Sequence, residues 1–177
     1  MSHSISISPK IKENESCFRE VFKDCADILF HTMELGRGKT VDCFVIYLEV
    51  AVSNMILEKS VLGKFINELC KVSGDEILER VEKNALGISD AVQLDTVEDV
   101  VAGVFAGDAV FFIDGYAHAV KISEKGYPSM GVSEADREKV LRGSKEGFTD
   151  SVKTNSALIR KRIRNPGMKV KEQTIGR

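Results

Sequence analysis

The spacing of apolar and polar residues predicts that the chain opens with a helix and continues into a strand. Apolar residues recur at three- and four-residue steps from about Asn14 to Met33, which is the period of one helix face. Gly36 follows at the position where helices commonly end in a left-handed residue. The next run, VDCFVIYLEVAV, is rich in β-branched and aromatic residues and predicts a buried strand.

Three more helices are predicted in the middle of the chain. The first covers residues 53–71 and has its apolar positions on one side. A short one over residues 73–87 opens with Ser73 and Glu76 at the spacing of a capping box. The third covers residues 96–107, with Thr96 and Asp99 as possible caps, valines at helical spacing and a glycine at its end.

A hairpin, two helices and a short strand are predicted for the rest. Two apolar runs flank Asp114 and the glycine after it, a pair that suits a two-residue hairpin turn. Helices are expected over residues 133–141 and 150–164, the second capped by Thr149 or Asp150. The alternating pattern of MKVKEQTI predicts a final strand.

These elements predict an α/β fold, a small mixed sheet flanked by helices. We expect the first α/β subdomain to cover residues 14–130. Residues 131–177 are expected to form the helical start of a second α/β subdomain. This second subdomain is incomplete, because its final strand has no obvious partner in the sequence.

Charge divides the chain at nearly the same place. Residues 137–177 have a charge balance of +8 and the residues before them a balance of −10, which suggests that the two regions contact different surfaces or each other. The four cysteines lack C-x-x-C spacing and are expected to be reduced and packed as small hydrophobes. No apolar run reaches the roughly 20 residues of a membrane helix, and no secretory signal is expected.

The sequence indicates no catalytic, cofactor-binding or metal site. GRGKT, beginning at Gly36, has the end of a P-loop pattern, but Met33 replaces its first glycine. A helix is also expected before it and a strand after it, so we interpret it as a helix-to-strand turn. His118 shares a predicted strand face with Tyr116 and lacks a neighbouring nucleophile, so a partly buried structural histidine is expected.

The predicted helix over residues 150–164 has an apolar edge and a cationic end. The edge is formed by residues spaced by four, seven and four: Phe148, Val152, Ile159 and Ile163. Asn155 lies on the same edge, so its amide either lies at the surface or pins neighbouring backbone. The end from Arg160 to Arg164 has no interleaved aromatic residues to stack bases, so a solvated or partner-facing helix end is expected. Contact with anionic lipid headgroups stays open.

The stretch from Arg142 to Ile163 carries a family resemblance. RGSKEGFTDS, followed by TNSALIRKRI, resembles the signature of the A subunits of GerA-type spore germinant receptors, and the ending IGR also fits. The hairpin AVFFIDGYAHAV resembles the family's strand-Asp-Gly segment. The match is specific over residues 108–177 and weaker before them. Ser144 stands where the family usually has proline, which would leave the loop before the helix less rigid.

The resemblance implies the N-terminal region of an A subunit at the cytosolic face of the spore inner membrane. Such subunits work with B and C subunits and form oligomers, and their N-terminal regions have two α/β subdomains. We therefore expect a non-enzymatic domain without cofactors that relays nutrient sensing through subunit or subdomain contacts. The expected contact residues are Arg142, Gly143, Glu146, Gly147, Phe148, Asn155, Arg160, Arg162 and Arg164.

Two alternatives stay open at this point. A small-ligand-binding α/β module predicts a pocket on the order of a few hundred Å³ with convergent polar groups. Nucleic-acid binding through the basic C-terminal segment predicts an affinity that falls steeply with salt. The germinant-receptor interpretation expects no nucleic acid as a partner.

Overall fold

Ten helices and strands lie within residues 4–49, 61–83, 91–123 and 147–176, which are the residues that the computed structural model describes. The helices are α1 (Ile11–Val21), α2 (Val61–Leu69), α3 (Gly74–Glu82), α4 (Val97–Ala106) and α5 (Val152–Arg162). The strands are β1 (Ile28–Leu35), β2 (Val41–Leu48), β3 (Ala91–Leu94), β4 (Ala109–Ile113) and β5 (Ala119–Ile122).

The strands form one sheet in the order β1-β2-β4-β5-β3, and the α/β class is confirmed. All four pairings between these strands are antiparallel, whereas a mixed sheet was expected. Short connections join β1 to β2 and β4 to β5, and such hairpins can only produce antiparallel neighbours. All of β4 and most of β2 are buried, so the core lies at the centre of the sheet.

Helices cover both faces of the sheet. Phe111 and Phe112 are successive residues of β4 and therefore point to opposite faces. The Phe112 ring packs on Phe18 of α1, with 5.1 Å between centroids, and the Phe111 ring packs edge-on against Phe65 of α2, also at 5.1 Å. Phe105 of α4 contacts the α1 side, so α1 and α4 share one face and α2 lies on the other.

The first predicted helix was wrong in its second half. α1 ends at Val21, Asp24 has a φ of +61°, and Ile28–Leu35 is the strand β1. The left-handed conformation at Asp24, which aspartate tolerates better than most residues, breaks the helix. β1 then pairs with β2 over eight residues, and this long-range pairing overrides a local pattern that suited either structure.

The GRGKT run therefore joins two antiparallel strands and not a helix to a strand. Gly36 has a φ of +117°, and a Cβ there would lie 2.7 Å from the carbonyl oxygen of Lys39, so the turn requires glycine. The Lys39 ammonium donates to Asp75 at 2.7 Å. The strand-to-helix geometry that a phosphate-binding loop needs is absent at this turn.

The predicted caps of the middle helices are confirmed. The Ser73 hydroxyl accepts the N–H of Glu76 at the start of α3. The Thr96 hydroxyl accepts the N–H of Asp99 at the start of α4. Gly107 ends α4 in the left-handed conformation. The sequence analysis missed the short edge strand β3, because its four residues, AVQL, do not alternate between apolar and polar types. Residues 53–60, 84–87 and 133–141, where helical structure was also predicted, lie outside the described residues.

The hairpin is confirmed as a strand pair, but its connection is longer than two residues. β4 ends at Ile113 and β5 begins at Ala119. Within the connection Gly115 has a φ of +88°, and the Tyr116 N–H donates to the Ile113 carbonyl at 3.1 Å. The predicted final strand is reduced to one parallel bridge, between Val170 and Cys25.

Candidate interaction site

The helix α5 begins later than predicted, because neither Thr149 nor Asp150 is its N-cap. Ser151 is the N-cap, and its hydroxyl accepts the N–H of Thr154 at 3.3 Å. Thr149, one of the two predicted caps, instead accepts the N–H of Ser151 through its own hydroxyl, at 3.2 Å. The helix ends at Arg162, two residues before the predicted end.

Asn155 pins the chain that enters α5. Its side-chain oxygen accepts the N–H of Thr149 at 2.7 Å, and its side-chain nitrogen donates to the carbonyl of the same residue at 2.7 Å. The amide thus satisfies both backbone groups of Thr149, as one sequence-based alternative proposed. These bonds fix the direction in which the preceding loop, from Gly147, approaches the helix.

Arg160 is fully buried, although the sequence placed it in a solvated or partner-facing helix end. Its guanidinium donates from Nε to Oδ2 of Asp27 at 2.6 Å and from Nη2 to Oδ1 at 2.9 Å. The group also lies over the Phe105 ring of α4, 5.0 Å from the centroid. Burial alone would lower the pKa of Arg160, but the hydrogen bonds and charge of Asp27 outweigh it and raise that pKa. The arginine stays charged inside the fold.

The same region receives the chain after α5. The Ala26 N–H donates to the Val170 carbonyl at 2.9 Å, beside the bridge between Cys25 and Val170. Nη1 of Arg160 donates to the Asn165 carbonyl at 3.4 Å. The segment from Cys25 to Asp27 therefore holds both α5 and the segment after it against the first unit, by which we mean the sheet with the helices α1 to α4.

The predicted apolar edge of α5 faces outward, except that its Ile159 is partly buried. Phe148 is 71% exposed, Val152 76% and Ile163 48%. The side of α5 that packs on the first unit carries Ala157, Leu158 and Arg160 instead.

A shallow groove of about 250 Å³ runs along the outward side and is lined by Phe148, Leu158, Ile159, Arg162 and Ile163. The groove and its rim are apolar with a cationic end, which suits contact with another protein surface.

The structure places the other expected contact residues in two groups. Arg142, Gly143 and Glu146 lie outside the described residues. Arg162 and Arg164 are exposed at the end of α5, and Arg162 lines the groove. With Arg160 buried, this cationic end presents fewer charges to a polyanion than the sequence suggested, which weakens the nucleic-acid alternative.

Asp27 is the main residue that the sequence analysis missed. It lies in the turn between α1 and β1, 133 residues away from Arg160, so no local pattern links the two. Asn14 was missed as well, and here a signal was present. It binds Ser8 as Asn155 binds Thr149, in both cases with a hydroxyl-bearing residue six positions before the asparagine.

A polar cluster surrounds the histidine that the sequence singled out. His118 is partly buried, as expected, but it precedes β5 and does not lie within a strand. Its Nδ1 lies 2.8 Å from Oδ1 of Asp95, and the Gln93 amide donates to the same oxygen at 2.9 Å. The bonds from Gln93 and then His118 lower the pKa of the Asp95 carboxyl.

The cysteines differ in exposure. Cys25 and Cys43 are buried, as expected for small apolar residues, and Cys17 is partly buried. Cys70 is exposed, so the expected packing is wrong for that residue. Burial raises the pKa of Cys43 to about 12, which keeps this thiol protonated at neutral pH. Within the described residues no group of three or more His, Cys, Asp or Glu is placed to hold a metal ion.

Two further grooves among the described residues reach the size that the ligand-binding alternative requires. A wide one of about 480 Å³ lies beside Phe30 and Val170. The other encloses about 320 Å³ between α1 and the β1–β2 hairpin. Ile11, Met33 and Phe44 supply its apolar wall, and Glu34 and Asp42 are among its carboxylates. The groove is open to solvent along its length.

The fold is that of a small α/β protein in which one helix, α5, leaves an apolar edge exposed. Comparison with known proteins then gives its family. The sequence matches the Bacillus/Clostridium GerA spore germination protein family over residues 16–177, and the chain belongs to that family. No helix within the described ranges is long and apolar enough to cross a membrane.

Individual relatives agree with this assignment. The chain is 32% identical to the uncharacterized membrane protein YfkQ of Bacillus subtilis (strain 168), over 96% of this chain and 32% of that protein. It is 25% identical to spore germination protein B1 of the same strain, over 98% of this chain and 35% of that protein. The chain thus spans about a third of the length of these relatives.

A solved structure has the same fold. It is the crystal structure of the N-terminal domain of the A subunit of the Bacillus megaterium spore germinant receptor GerK3, with a TM-score of 0.68 and 21% sequence identity. The likeness covers 98% of this chain and 62% of that one.

Proposed function

We propose that this chain is part of the N-terminal domain of a spore germinant receptor A subunit and relays nutrient sensing through contacts made by α5. The observation that carries the proposal is that α5 is held on one side and open on the other. Asp27 and Arg160 join it to the first unit through two charge-assisted hydrogen bonds, while Val152 at its start is 76% exposed. A segment fixed in this way passes a movement of its exposed edge to the sheet.

The ion pair between Asp27 and Arg160 is strong enough to keep α5 attached while such a movement is passed on. Breaking a buried ion pair on one side leaves an uncompensated charge at a cost of about 3–5 kcal/mol. Asn155 adds two short hydrogen bonds to Thr149, so the loop that enters the helix moves together with it. α5 therefore moves with Asp27 and its neighbours as one body, and a partner bound at the edge acts on the first unit.

The proposed setting follows the family. The chain acts at the cytosolic face of the spore inner membrane, in a complex with B and C subunits and with other A subunits, and its role is non-enzymatic. Residues 14–130 serve as the first subdomain, and residues 131–177 begin the second. Arg142, Gly143, Glu146 and Gly147 extend the contact surface along the loop that leads to Phe148.

Nutrient-triggered germination tests the proposal in the full-length protein. Phe148→Ser removes an exposed ring from the contact edge without opening the core, so receptor abundance should stay normal while germination slows several-fold. Val92→Ser is the matched control, because Val92 is exposed on the edge strand β3, away from α5. Normal germination by Phe148→Ser and Val152→Ser spores with normal receptor levels would contradict the proposed relay.

Ligand binding is a second candidate, favoured by the groove of about 320 Å³ beside α1. Its Glu34 and Asp42 carboxylates next to the Phe44 ring suit a small ligand with a cationic group. Isothermal titration of the chain with amino acids and small amines tests this function. Heats that do not differ from those of the double variant Glu34→Gln/Asp42→Asn would exclude it.

A further inference from the structure

The two edges of the sheet differ in length. β3 forms one edge with four residues, and β1 forms the other with eight. All eight residues of β1 pair with β2, so one side of the strand is used over its full length. In an antiparallel strand every second residue directs its N–H and C=O away from that partner. β1 therefore carries a long row of backbone hydrogen-bonding groups on its outer side.

This outer side of β1 has no strand beside it among the residues that the structure describes. The chain after α5 comes close, but its bridge joins Val170 to Cys25, three residues before β1 begins. His31 and Thr32, in the middle of the strand, are exposed. Natural edge strands are usually kept short or carry proline or lysine to prevent further pairing, and β1 has neither residue. The edge is therefore suited to receive another strand.

The groove of about 320 Å³ beside α1 follows the same edge. Thr32 and Glu34 of β1 pair with Phe44 and Asp42 of β2, and the Phe44 ring belongs to the aromatic stack under α1. These four residues thus share the sheet face that α1 covers, and Ile11 of α1 lines the opposite wall of the groove. A strand added beside β1 would direct every second side chain toward this groove.

The groove attracts positive charge. Glu34 and Asp42 are exposed, and neither forms a salt bridge within the described residues. Glu15 adds a third carboxylate, which pairs with Arg19 at 2.7 Å, and Lys12 is the one cation in the lining. Carboxylates therefore outnumber cations at the groove, in agreement with the charge balance of −10 before residue 137. The complementary partner is basic.

We propose that this edge binds an extended basic segment of a partner protein, which adds as a further strand beside β1 and places a lysine or arginine in the groove. The outer N–H and C=O groups of β1 supply the main-chain hydrogen bonds. The aliphatic stem of the cationic side chain packs on Phe44 and Ile11, and its charged end lies near Glu34 and Asp42. The proposal goes beyond the relay assigned to α5 and uses none of its residues.

An extended peptide fits the site better than a free amine does. A small molecule is usually bound in a cavity that buries most of its surface, whereas this groove is open along its length. An amine could reach Glu34 and Asp42 but would leave the row of backbone groups on β1 unused. A peptide strand uses both the row and the carboxylates.

NMR titration of the 177-residue chain with short peptides tests the proposal. The probe is a peptide of the same length as β1, blocked at both ends, in which valine and lysine alternate. It should shift the backbone amides of β1 and the signals of Ile11 and Phe44. A peptide with glutamate in place of lysine should bind at least about tenfold more weakly, because like charges then meet in the groove.

Two N-methylated forms of the lysine peptide test the strand pairing. One is methylated on its lysines and the other on its valines. Only one of these two sets of N–H groups can point at β1, so one form should lose binding and the other should keep it. Binding retained by both forms would overturn the proposal, since no backbone pairing would then be present.

Protein variants test the charges. Glu34→Gln/Asp42→Asn should weaken binding of the lysine peptide about threefold or more. Glu79→Gln/Glu82→Gln is the matched control, because it removes two charges from α3, outside the groove lining, and should leave the affinity unchanged. Phe148→Ser should also leave it unchanged, which separates this site from the relay through α5.

Three further results would overturn the proposal. The first is equal binding of the lysine and glutamate peptides. The second is the absence of any shift in β1 at millimolar peptide. The third is that propylamine reproduces the shifts at the same concentration as the peptide, which would make the groove an amine site of the kind that the ligand-binding candidate describes.

Discussion

The helices α1 and α5 differ in what surrounds them and not in how they begin. Both have at their fourth position an asparagine that binds the backbone of a residue six positions earlier, and both have 11 residues. The apolar face of α1 is buried in the core, whereas the matching face of α5 is mostly exposed. The difference shows that the local sequence sets the entry and length of a helix, while the rest of the protein decides which side is covered.

Two arginines at the same position in the two helices, Arg19 in α1 and Arg160 in α5, make the same point for charge. Arg19 of α1 lies at the surface, where it pairs with Glu15 one turn earlier and covers the Phe30 ring. Arg160 of α5 is buried and pairs with Asp27. Arg19 is thus half exposed in α1, whereas Arg160 holds α5 against the rest of the fold.

Removing these arginines should give the largest contrast between the helices. Arg160→Met leaves the Asp27 carboxylate buried without a partner, so the free energy of unfolding should fall by about 3–5 kcal/mol. Arg19→Met, the matched control, should cost no more than about 1 kcal/mol, since its ion pair is exposed. Urea denaturation followed by circular dichroism measures both. The double variant Asp27→Leu/Arg160→Met should recover much of the loss, and equal losses for the two single variants would contradict the assigned roles.

Truncation of the matching apolar residues should separate the two faces. Ile11→Ala removes a buried side chain and should lower the free energy of unfolding of the 177-residue chain by about 2–4 kcal/mol. Val152→Ala should change it by no more than about 0.5 kcal/mol, because the side chain is exposed. Denaturation curves of both variants provide the comparison. A loss of similar size at Val152 would show that the face is already covered within this chain.

The asparagines, in contrast, should behave alike. Asn14→Ala and Asn155→Ala each remove an amide that satisfies two backbone groups, and each should cost roughly 1–3 kcal/mol. Denaturation measured beside Asn14→Asp and Asn155→Asp separates the two bonds, because aspartate keeps the acceptor and loses the donor. If only one of the alanine substitutions is costly, the two turns are not equivalent.

The smallest expected effect concerns Lys153, which follows the first residue of α5. Its hydrogen bond to Glu49 raises the pKa of Lys153 above the ordinary value for lysine. A folded-state pKa that is raised favours folding below the unfolded-state pKa, and this contribution is lost as the pH rises through the folded-state value. NMR titration should show the Lys153 pKa return to its ordinary value in Glu49→Gln. An unchanged pKa would mean that the pair does not form in solution.

Much of the fold could be predicted because its signals are local. The hydroxyl caps at Ser73 and Thr96, the glycine after α4 and the apolar runs of β2 and β4 all act within a few residues. The strand β1 could not be predicted in this way. Its residues continue the helical spacing of α1, and only the pairing with β2 decides their structure.

The candidate site was predictable in its residues and not in their surroundings. The sequence singled out Asn155, Arg160 and the apolar edge from Phe148 to Ile163. It placed Arg160 at a solvated or partner-facing helix end, because a helix C-terminus favours cations wherever it lies. The buried partner, Asp27, is far away in the sequence, and its effect on Arg160 becomes visible only when the chain is folded.

Hydrogen exchange of the backbone amides tests the central claim most directly. The measurement compares the 177-residue chain with its Arg160→Met variant. If Asp27 and Arg160 hold α5 on the sheet, the amides of α5 should exchange at least about tenfold faster in Arg160→Met, while those of α2, on the other face of the sheet, change much less. Equal exchange of α5 in both proteins would contradict the claim.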